Sequence, residues 1–277
     1  MDNQELRSWL EAANSRYSRE GMPHQQRPFK AWQDFSVEHR CSLSLNSPTV
    51  SAIFDWFYEH SPPGAHHAGP LFTSACFYDA AFWPIHIPII LGTVHINMLD
   101  CMETMPPRVK AQLVSSGATL ERIGKHWVNC MDYGLGHLEL AALRPRAEGL
   151  FKGAHAELIG AIAQLLLPRP NTKAVLSFVL AIEIYLKCVL VQERDATEKE
   201  LRDLSHNLLN LIGAVEQFFK PDDISIVRGR LHSYPPHGDR YKAPQWSSSE
   251  AWEYLELAQV VGTIVTRRYS ARWMDVT

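Results

Sequence analysis

Glu183 and Lys187 stand four residues apart in the apolar stretch VLSFVLAIEIYLKCVLVQ. On a helix that spacing puts carboxylate and ammonium on one face. Charges set among Leu, Ile and Val must be paired. The pair therefore reads first as an ion pair that sets helix register; the other reading is a polar seam touching a ligand or partner. Downstream, Arg202 and His206 are again four apart, and Asn207 follows. A histidine titrates near neutral pH and can act as a general base, with Arg202 beside it. The alternative is a His206 that hydrogen-bonds backbone groups or Glu183. Arg240 and Tyr241 lie in the breaker-rich HSYPPHGDRYKAPQW. Such loops often carry recognition; otherwise the arginine anchors the loop to a helix C-terminus or a carboxylate. Arg267, Arg268 and Arg272, near Tyr269 and Trp273, can stack on and neutralise nucleic acid, or complement a helix dipole.

The N-terminal half raises the question of a metal. It holds His24, His39, His60, His66, His67, His86 and His95, together with Asp79, Asp100 and Glu103. No HExxH and no Glu-x-x-His pair organises them, so neither a metal nor a cofactor is expected. A metal-dependent enzyme using these histidines remains the third reading of the chain. The aromatic residues there, Trp56, Phe57, Tyr58, Phe72, Phe77, Tyr78, Phe82 and Trp83, read as core or interface.

The elements that must position these residues are mostly helical. Leu6, Leu10 and Ala13 recur at helical spacing and predict a helix over about 2–18. A short aromatic helix is predicted over 51–59 and another over about 73–83, with the dense breaker segment SPPGAHHAGP between them. One or two helices follow MPP at 105–107. The segment LRPRAEG at 143–149 reads as the domain boundary. Beyond it the pattern predicts helices over 152–167, 172–192, about 204–218, from about 222, and from Glu250 towards Arg268. Ser248 or Ser249 is the expected cap of the last. The expected fold is all-α: a four- to five-helix bundle in 150–277 preceded by a second, mainly helical region in 1–149. No glycine-rich nucleotide loop, fixed-period repeat or heptad run occurs.

Composition narrows the function classes. A chain of 277 residues that is 46% hydrophobic can bury one large core or two ordinary ones. Six Lys/Arg against ten Asp/Glu in residues 1–100, and 21 against 20 in 101–277, disfavour a broad electrostatic grip on nucleic acid. Cys41, Cys76, Cys101, Cys130 and Cys188 are odd in number and widely spaced, which suits free thiols in a reducing compartment. The polar N-terminus and the interrupted apolar stretches predict a cytoplasmic protein with no membrane contact.

The C-terminal order resembles the HEPN superfamily of helical bundles. The matching pieces are FVLAIEIYLKCVL at 178–190, LSHNLLNLI at 204–212, GDRYKAP at 238–244 and a final long helix. Members pair a Glu and Leu–Lys helix with a later His–Asp or His–Asn–Leu step, which Glu183, Lys187, His206, Asn207 and Leu208 fit. Several carry an Arg–Tyr–Pro-like segment, which Arg240 and Tyr241 fit, with Lys242 where the proline would stand. The resemblance covers about residues 150–272. It implies either a non-catalytic interaction or regulatory module, dimeric or with a partner protein, or a metal-independent ribonuclease acting on RNA as a toxin or defence effector. The ribonucleases space Arg and His by four to six residues. Here Arg202–His206 and Arg228–His232 have three between them. Arg230–His237 meets the count only across two prolines, and Arg19–His24 lies outside the resembling region. The spacing thus favours the non-catalytic module, with Arg202, His206 and Arg240 as the catalytic candidates of the alternative. Glu183, Lys187, Asn207 and Tyr241 are the expected structural seam.

Overall fold

The computed structural model describes residues 3–44, 46–62, 69–89, 94–138, 140–141, 143–205, 207–231 and 246–270. The chain divides into two compact units, Met1–Gly69 and Pro70–Thr277. The division falls in SPPGAHHAGP, ahead of the 143–149 segment where the sequence places it. The LRPRAEG string instead opens a helix within the second unit. Pro145 stands at its first position, where a missing N–H costs nothing and a fixed φ helps. A cluster of breakers can mark a helix start as readily as a linker.

The first unit holds α1 (Asn3–Arg19), α2 (Arg27–Glu38) and α3 (Pro48–Glu59). Leu10, Tyr17, Phe35, Ile53 and Phe57 form its core. The Tyr17 hydroxyl donates to Asp34 at 2.9 Å, and Arg16 and Lys30 also pair with that carboxylate.

The second unit begins with a β-hairpin, where the sequence predicts a helix over 73–83. Strand β1 (Phe72–Tyr78) pairs antiparallel with β2 (Ala81–Ile87), Cys76 opposite Trp83 and Phe72 opposite Ile87. A short apolar, aromatic run satisfies either period. The turn decides: Asp79 and Ala80 have φ of 49° and 57°, the left-handed pair that a two-residue hairpin loop requires. Pro84 is tolerated because both strands are edges. Helices α4 (Pro107–Val114) and α5 (Gly117–Leu138) follow.

The remaining helices are α6 (Pro145–Leu165), α7 (Ala174–Arg194), α8 (Glu198–Asp203), α9 (Leu208–Val215), α10 (Pro221–Arg230) and α11 (Ser248–Tyr269). The helix predicted over 204–218 begins only at Leu208, because Asn207 accepts from Asn210 N and caps it there, and α8 lies in the stretch that the sequence reads as a connection. The α11 cap is Ser247, one residue before the predicted pair, in a reciprocal capping box with Glu250. The fold among the described residues is mostly helical, with one small hairpin beside the helices.

Helix α7 packs against α6, α9 and α11. Phe178, Ile182, Tyr185, Leu186 and Val189 are all fully buried. By length and composition α7 could cross a membrane: its mean hydropathy reaches 2.2, despite Glu183 and Lys187, which the sequence reading takes as disqualifying. Two thirds of that window is buried inside the protein itself, so the apolar surface is accounted for by packing. Glycine allows two close approaches. A Cβ on Gly262 would stand 3.2 Å from the Tyr133 and Tyr185 rings, and one on Gly134 would stand 3.2 Å from Phe72 Cβ.

Candidate functional site

Three polar sites are built into the second unit. The first contains the residues singled out from sequence. Lys187 Nζ donates to Glu183 Oε1 at 2.7 Å and to Ser205 Oγ at 2.7 Å, and Ser205 Oγ donates to the Leu201 carbonyl at 2.7 Å. The pair is enclosed, with side-chain exposures of 4% for Glu183 and 15% for Lys187. Arg146, Lys187, Arg202 and Ser205 line one cavity of about 550 Å³, whose apolar walls are Leu150 and Leu201. Arg146 donates to the Ala196 carbonyl and pairs with Glu198 at 2.8 Å. Arg202 is exposed at the mouth. Three cations and the carboxylate of Glu198 thus line it, with Glu183 behind Lys187. Lys187 and Arg202 line the same cavity, a juxtaposition that the sequence reading does not make. Asn207 is not part of that seam; it is an exposed helix cap. His206, Arg240 and Tyr241 lie outside the described residues.

The second site is a Ser–His–Cys cluster that sequence reasoning missed. His126 on α5 meets Ser74 Oγ of β1 through Nε2 at 3.1 Å, and Cys130 Sγ stands 3.5 Å from the same nitrogen. The Trp252 ring packs edge-on against His126 at 4.6 Å. Ser74 and His126 are 52 residues apart in sequence, and only the packing of the hairpin on α5 joins them. Burial, with lesser contributions from Arg230 and Arg122, pushes the His126 imidazole down to about 3. Burial likewise pushes the Cys130 thiol far above its ordinary range. A neutral imidazole beside an un-ionised thiol, all three side chains being sealed, is a core hydrogen-bond cluster rather than an activated nucleophile.

A third set, Tyr133, Tyr185, His155 and His137, joins α5, α6 and α7. Tyr133 Oη is 2.5 Å from Tyr185 Oη and 2.7 Å from His155 Nδ1, and the His137 and His155 rings stack at 4.4 Å. Burial, with a smaller contribution from His137, pushes His155 down to about 4. Its neutral ring can then accept from Tyr133. Among the described residues no three His, Cys, Asp or Glu side chains converge to hold a metal ion.

The lowered histidines have a consequence for stability. An unfolded histidine titrates near 6.5, so between there and about 4 the unfolded chain takes up protons that folded His126 and His155 refuse. Their contribution is fully present above pH 6.5 and is lost as pH falls. Each steepens the decline by up to about 1.4 kcal/mol per pH unit. Urea midpoints measured from pH 7.5 to 5 are expected to fall, and to fall less steeply in His126→Gln.

A depression of about 1180 Å³ lies between α5, α10 and α11. Glu256, 6% exposed, sits in its wall and holds two arginines. Arg122 donates to it through Nε at 2.9 Å and through Nη2, and Arg230 donates through Nη2 at 3.0 Å. Arg122 also lies over the Trp252 ring, 5.7 Å from its centroid. Arg267 pairs with the fully buried Asp132, its Nε donating at 2.7 Å. No protein family, curated protein or solved structure matches this chain.

Proposed function

We propose that this chain is a non-catalytic helical interaction module of the HEPN type, dimeric or paired with another protein. One observation carries the reading: the Lys187 ammonium is held between Glu183 and Ser205 inside the bundle. A group so tethered ties α7 to the turn that follows α8 and is not poised for proton transfer. The open groove between α5, α10 and α11 supplies surface for a partner, as interaction modules require.

The ribonuclease alternative has one observation in its favour. Arg146, Lys187 and Arg202 face a common cavity, immediately before position 206, and such a cluster suits a phosphate. Incubation of the full chain with single-stranded RNA in the presence of a chelator separates the two. Neither the parent nor His206→Ala is expected to cleave. Metal-independent cleavage that is lost in His206→Ala would establish the ribonuclease instead. Sedimentation equilibrium tests the dimer, which is expected near twice the 31.5 kDa chain mass; a monomer leaves the protein partner.

A further inference from the structure

We infer that the groove between α5, α10 and α11 receives an amphipathic helix of another protein, one that carries lysines or arginines on both sides of an apolar stripe. The inference rests on the interaction-module reading and names the partner's chemistry. Along α11 the groove is lined at successive helical steps by Glu250, Glu253, Leu257, Val260, Ile264 and Arg267. From Glu250 to Arg267 that stripe runs about 25 Å at 1.5 Å per residue. It is the length of a four- to five-turn helix. Helix α5 forms the facing wall, where Gly124 and Val128 stand among Glu121, Arg122, Lys125 and Asn129, and α10 adds Ile226, which is 52% exposed. A long trough with an apolar floor between helices is the shape into which an amphipathic helix lays its apolar face.

Charge selects which helix. The four basic residues of the groove each touch a carboxylate of the protein, Lys125 meeting Glu121, Arg122 and Arg230 sharing Glu256, and Arg267 meeting Asp132, so four cations stand on three carboxylates. The acids Asp223, Glu250 and Glu253 also line it; Glu250 accepts from Ser247 and the charge of Glu253 acts on Arg122, but none of the three is closed into a salt bridge among the described residues. Glu250 and Glu253 flank the floor at the start of α11. Asp223 lies towards the other end, since Arg230 meets Glu256 while Arg268 reaches back to the Phe218 carbonyl just before α10. The rim is therefore acidic at both ends of an apolar floor. A basic flank is attracted and an acidic one repelled.

The test uses fluorescence anisotropy with the full chain and two labelled eighteen-residue helical peptides. They share one leucine stripe; the polar face is lysine in one and glutamate in the other. The lysine peptide is expected to bind at least about tenfold more tightly than the glutamate peptide. Val260→Lys, which places a charge on the floor, is expected to weaken it about tenfold, and Glu253→Lys about threefold. Circular dichroism identifies variants that remain folded. Equal binding of both peptides, or binding unchanged in folded Val260→Lys, overturns the inference. So does a dimer that Val260→Lys dissociates, because the occupant is then a second copy. Absence of peptide binding in a protein that also fails to cleave RNA sinks the groove assignment alone; RNA cleavage sinks the module reading itself.

Discussion

Lys187→Met is expected to destabilise the protein by about 3 kcal/mol, read as a drop in the urea or thermal unfolding midpoint. The substitution keeps the length of the side chain but takes the ammonium away from the carboxylate of Glu183, which is 3% exposed. It also removes the donor to Ser205. A carboxylate deprived of its cation in a low-dielectric core is costly, whereas an apolar pair of similar volume is often tolerated. The double variant Glu183→Leu/Lys187→Met is therefore expected to recover at least half of the loss. A double variant no more stable than the single one would show that the pair does more than neutralise itself in the core. This experiment also bears on mechanism, since a structural pair moves stability whether or not RNA is ever cut.

Arg267→Met is expected to cost about 3 kcal/mol as well, for a related reason at a different place. Asp132 is fully buried on α5, and the Arg267 guanidinium reaches it from α11 through Nε and Nη2. The two residues are 135 apart in sequence, so the pair fixes how α5 and α11 meet and holds the end of the groove. Arg267→Lys retains the charge but not the fork of donors. It is expected to lose about 1–2 kcal/mol, between parent and Arg267→Met. Equal losses in the two variants would mean that the fork of guanidinium donors, not the charge by itself, holds Asp132 at this position. Because α11 lines the groove over its whole length, Arg267→Met also provides an independent check there: loosened walls should weaken the lysine peptide without altering its preference over the glutamate peptide.

The groove and the Lys187 cavity differ in what their charges leave over. At Lys187 the cations Arg146, Lys187 and Arg202 outnumber Glu183 and Glu198, which is the balance an anion would meet. In the groove four cations stand on three carboxylates, and the further acids Asp223, Glu250 and Glu253 turn the balance negative. The two surfaces therefore suit different partners, and the RNA and peptide assays address them separately.

Local signals in the sequence determined much of the helical frame. Leu6, Leu10 and Ala13 mark α1, the PRP at 168–170 stops α6, and the apolar run around Glu183 marks α7, because amphipathic period and breakers act over a few residues. The Glu183–Lys187 contact was legible for the same reason: four residues on one helix are neighbours wherever the helix goes. Nothing local separates a strand from a helix in FTSACFYDAAFW, and the hairpin was decided by a turn at Asp79–Ala80 whose left-handed backbone lacks the usual Asn–Gly signal. The division at Gly69/Pro70, in place of 143–149, was likewise a matter of which helices share a core. Ser74–His126, Asp132–Arg267 and Arg122–Glu256 bring together residues 52 to 135 apart. Contacts of that range depend on which helix faces pack together, and only the tertiary structure specifies that.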